Sequence, residues 1–80
     1  MADHHEKALA AARDGRWDDA HRLVQDHGDA LAAHIHAYLH RVEGDLGNAR
    51  YWYDRAGEPV AEDGLDEELA RLESRVRDEG

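Results

Sequence analysis

Hydrophobic positions along the eighty residues recur at three- and four-residue intervals, and glycines punctuate the periodic stretches. The clearest stripe runs through Leu31, Ile35, Tyr38, Leu39 and Val42, which share one face of a helix. Ala33, Ala37 and His40 lie on its other side, and side chains as small as alanine let a second helix approach closely. That segment is expected to be held between two neighbours. Leu65, Leu69, Leu72 and Val76 form a single stripe in an otherwise charged segment, so the last helix should cover one face and show water the other. Glu67–Arg71 and Glu73–Arg77 have the four-residue spacing of favourable ion pairs on its exposed side.

Gly15, Gly28, Gly44 and Gly57 stand where left-handed caps would end helices. Asp18, Asp29 and Asp63 are candidates to start them, because a carboxylate there satisfies free backbone N–H groups. The pattern predicts helices over 3–13, 17–27, 30–43, 46–56 and 64–78 and no strand. The expected fold class is all-α, with residues 1–80 making one domain.

Composition agrees with that reading and limits the core. Fourteen alanines, a single proline and few β-branched residues favour helix. Only nineteen larger apolar side chains remain and none is phenylalanine, so the core is thin and a deep enclosed cavity is not expected. No cysteine is present, which excludes disulfides and thiolate metal sites. There is no apolar run of membrane-spanning length and no signal-peptide core, so the cytoplasm is the expected location, with no membrane partner. The net charge is −9, with nine acids against three bases over residues 58–80, and an acidic chain repels nucleic acid.

Two segments echo each other. "AARDGRWDDAHRLV" (residues 11–24) and "HRVEGDLGNARYWY" (40–53) both place an alanine five residues after a glycine and a large apolar residue four later, at an offset of 29 residues. This Gly–Ala–x3–large pattern resembles the tetratricopeptide repeat, with units over 3–28 and 29–57 and residues 64–78 as a cap. Ala37, Gly44, Ala49, Tyr53 and Ala56 carry the resemblance best. It implies two antiparallel helix hairpins plus a C-terminal capping helix. It also implies a non-catalytic protein-protein interaction module, an adaptor or accessory subunit, whose first helices line a short groove for a protein or peptide partner. No cofactor is implied.

Two patterns could carry chemistry. His36 and His40 lie one helical turn apart, a spacing that chelates zinc or nickel if a third ligand such as His21 or an aspartate joins them. The alternative function is therefore a histidine-rich metal-binding or metal-sensing protein centred on that pair. His4 and His5 are expected to be solvated, with a weak metal contact as their alternative, and His21, His27 and His34 to stand at helix surfaces or ends. The second pattern is Tyr51, Trp52 and Tyr53, which cannot share one face at about 100° per residue. Tyr53 is expected inside, Trp52 to one side and Tyr51 exposed. With Arg41, Arg50 and Arg55 nearby, the run is a candidate surface for a carboxylate-bearing segment or for a second copy of this chain as a homodimer. Ser74 is the only serine and there is no threonine, so covalent hydrolytic catalysis has no nucleophile and an enzyme is not expected.

Overall fold

The computed structural model describes residues 4–79 and contains α1 (His4–Arg13), α2 (Trp17–Gln25), α3 (Ala30–Val42), α4 (Leu46–Ala56) and α5 (Leu65–Glu79), with no strand among the described residues. The chain is all-α, as its periodicity predicts. Three of the four punctuating glycines work as expected. Gly15, Gly44 and Gly57 adopt φ of 78°, 84° and 70°, and the following amides bond back to Ala11, His40 and Tyr53 carbonyls at 2.8, 2.9 and 3.0 Å. Each closes a helix whose last carbonyls would otherwise lack partners.

Gly28 does not do this. α2 ends earlier, at Gln25: Asp26 has φ −95° and ψ 1°, and the His27 amide after it bonds back to the Val24 carbonyl at 3.1 Å. Helix starts agree with expectation at α3 and differ elsewhere. Asp29 caps α3 by accepting from the Ala32 amide, and Asp45 caps α4 by accepting from Asn48. Asp18 lies inside the first turn of α2 instead of before it, and Asp63 is spent on Arg71.

α3 is the central helix. Every residue from Leu31 to His40 is buried, because α1, α2, α4 and α5 all pack against it. Val42 departs from the expected stripe and is exposed: it is the last helical residue, where the cap at Glu43 and Gly44 turns the chain away. Ala37 meets Ala49 and Tyr53 of α4 in one small cluster, as close approach of small residues requires. The larger core joins Ala8 and Leu9 of α1, Val24 of α2, Leu31, Ile35 and Leu39 of α3, and Leu69, Leu72 and Val76 of α5.

α5 thus packs on α1 and α3. Its expected internal ion pairs do not form as written. Arg71 turns to both oxygens of Asp63 at 2.8 and 3.0 Å, and Glu73 takes two 2.7 Å hydrogen bonds from Arg13. A guanidinium that meets a carboxylate fork-to-fork outcompetes a single contact along the helix. Leu65 is exposed, whereas Glu68, which stands among charged residues in the sequence, is fully buried.

Candidate metal centre

α2 packs against α3, and that contact brings His21 to the pair His36 and His40. His21 lies one turn after Trp17 on α2, as His40 lies one turn after His36 on α3. The Trp17 indole N–H donates to the Leu39 carbonyl at 2.6 Å and stacks on His21 with ring centres 4.8 Å apart, so the tryptophan fixes where α2 meets α3. One ring nitrogen from each of the three histidines falls within 4.8 Å of the others. His21 Nε2 and His36 Nε2 are 3.0 Å apart.

The surroundings hold these rings in place. His40 donates from Nδ1 to Glu43 at 2.6 Å, which leaves Nε2 as its free lone pair. His36 stacks on the Trp52 indole with ring centres 3.9 Å apart and planes 13° from parallel. His36 Nδ1 is buried with no hydrogen-bond partner. Burial, reinforced by His21 and His40, lowers the His36 pKa to about 4. Burial and His40 also lower that of His21. Both imidazoles are therefore neutral at physiological pH, which is the state a metal ligand needs.

A tetrahedral zinc ion with Zn–N bonds of about 2.0–2.1 Å separates its nitrogens by ~3.4 Å. The His21–His36 distance lies close to that, and His40 offers a third ring nitrogen within 4.8 Å of both. Three imidazoles with no thiolate or carboxylate among them suit zinc, nickel or copper(II).

The aromatic run separates as three consecutive helical residues must. Tyr53 is buried, Trp52 is half-buried, and Tyr51 is 52 % exposed with Arg55 donating to its hydroxyl at 3.2 Å. Of the three arginines expected beside them, Arg55 lies over both the Tyr51 and Trp52 rings, and Arg50 is exposed. Arg41 is elsewhere: it reaches Glu68 at 2.8 Å and the Asp63 carbonyl, so it belongs to the interior of the protein. Trp52 is likewise turned towards His36 and serves the histidine cluster more than an outer surface.

A second polar cluster was hidden in the pattern. Glu68 accepts from the Tyr53 hydroxyl at 2.5 Å and from Arg41, with His34 Nε2 at 3.4 Å. Burial pushes its carboxyl up, but the hydrogen bonds from His34, Tyr53 and Arg41 outweigh that and hold it below the ordinary value. His34 is buried and not at the surface as expected, because it bridges Glu68 and Arg75. The sequence did carry a signal: Glu68 lies three residues after Leu65 and four before Leu72, on the apolar stripe.

No protein-family model matches the chain, and no curated protein or solved structure matches it either.

Proposed function

We propose that this protein binds a transition-metal ion of the zinc and nickel class through His21, His36 and His40. The observation that carries the reading is the convergence of three imidazoles from two helices, with His21 Nε2 and His36 Nε2 3.0 Å apart. Glu43 supports the His40 ring as a carboxylate behind a ligating histidine does. The groove implied by the tetratricopeptide resemblance would be lined by α1 and α3. α5 lies against both, which weighs against that groove as a peptide site.

Zinc titration by calorimetry, followed in parallel by tryptophan fluorescence, tests the proposal. Trp17 and Trp52 stack on His21 and His36, so zinc at this centre should alter indole emission with micromolar or tighter affinity. The variant His36→Ala/His40→Ala should lose that response. A folded double variant with an undiminished response would refute the assignment.

A second reading keeps a partner-binding role and moves it to the outer face of α4. Tyr51 is exposed there and Arg55 orders its ring, which suits a carboxylate-bearing protein segment or a second copy of this chain. Tyr51→Ala should then weaken self-association in sedimentation by about 1–2 kcal/mol without moving the urea midpoint.

A further inference from the structure

His21, His36 and His40 form the centre described above, and His34 serves Glu68. The remaining three of the seven histidines also gather in one place. His4 and His5, consecutive residues in the first turn of α1, both turn to Asp29: His4 Nε2 is 3.3 Å from Oδ1 and His5 Nε2 is 2.6 Å from Oδ2. Their ring centres are 4.0 Å apart, and His27 stacks on His4 at 3.7 Å.

We propose that His4, His5 and Asp29 form a second divalent-metal site, open to solvent and separate from the buried centre, with His27 beside it. Going beyond the function proposed above, it rests on different residues.

The donor set argues for it. Neighbours on a helix point about 100° apart, so two imidazoles reaching one carboxylate need rotamers that converge. Asp29 is aimed by the amide of Ala32, which donates to Oδ2 at 3.1 Å as the cap of α3. A carboxylate held by a backbone donor behind it is a preorganised ligand. The Asp29 carboxylate thus presents both oxygens to the two imidazoles, Oδ1 to His4 and Oδ2 to His5.

Two imidazoles and one carboxylate on a single side of an ion leave the other positions to water, an arrangement suited to zinc, nickel or iron(II). The side chains of His4, His5 and Asp29 are 27, 16 and 44 % exposed, so those positions are accessible. α1 and α3 both begin here, and their positive dipole ends oppose a cation. The Asp29 charge offsets them, and the site should be weaker and exchange faster than the buried one.

The test uses the tag-free full chain, titrated with zinc at mildly alkaline pH, where imidazoles are neutral. Wild type should take up two equivalents, only the tighter of which changes tryptophan emission. His4→Ala/His5→Ala should keep one equivalent and the full emission change. His36→Ala/His40→Ala should keep one equivalent and no emission change. His4→Gln/His5→Gln, which retains a side-chain hydrogen bond to Asp29, should show the same loss as the alanine pair. Wild type that binds one equivalent, unaffected by either His4/His5 pair, would overturn the surface site and leave the buried centre standing. One equivalent lost with His4 and His5 but kept without His36 and His40 would support the surface site and overturn the centre between α2 and α3.

Discussion

At Glu68 a full carboxylate sits out of water, held by Tyr53, Arg41 and His34. Removing one partner of a buried ion pair strands the other, so Glu68→Leu should cost about 3 kcal/mol or more in urea unfolding. Tyr53→Phe, which removes one hydrogen bond to that carboxylate, should cost about 1.5–3 kcal/mol. His36 sets a different dependence. It titrates at about 4 in the folded chain and near 6.5 in the unfolded one, so the unfolded chain takes up the proton first. Stability is full above pH 6.5 and falls by roughly 3 kcal/mol as the pH drops to about 4. Carboxylates such as Asp29 and Glu68, with lowered folded values, contribute stability present above their unfolded values and lost on further acidification. Urea midpoints against pH, with metal removed, should therefore show an upper arm that His36→Gln flattens. At this scale the sequence was partly legible. His36 and His40 announce themselves by spacing, but a glutamate among charged neighbours looks solvated until the facing tyrosine and arginine are known.

The helices themselves follow from periodicity, and their ends from glycine, though not every glycine is equivalent. Gly44 holds φ 84° and Gly28 has no positive φ, while a Cβ would meet nothing within 4 Å at either. Gly44→Ala should thus lose about 1 kcal/mol through backbone strain alone. Gly28→Ala should be neutral or gain about 0.4–1 kcal/mol by restricting the unfolded chain. Thermal unfolding of the two variants separates them. The sequence showed four similar punctuation marks, because a glycine's φ depends on where the preceding helix stops, and α2 stops at Gln25. Where small residues face each other the reading was firmer. Ala37 and Ala49 do meet, so Ala49→Leu should overpack that contact by about 1–3 kcal/mol, read as a lowered urea midpoint.

Across the whole molecule, the apolar stripe of α5 was plain from spacing, but not the identity of the helices that receive it. Nothing in Leu69, Leu72 or Val76 specifies α1 over α4, and the repeat-like pattern pointed to a cap at the end of an array. The choice is made by side chains distant in sequence: Arg13 with Glu73, and Leu9 beside Val76 across the cleft between the two helices. Leu72→Ala should consequently cost about 2–5 kcal/mol and loosen α1 as well as α5, seen as faster amide exchange in both. The same closure has a consequence in time. Leu9 and Leu69 share one core although roughly sixty residues separate them, and a ribosome adds ~5–20 residues per second. For several seconds of every synthesis the first helix is made without the partner that covers it, so the growing chain carries an apolar face that only its final helix can hide.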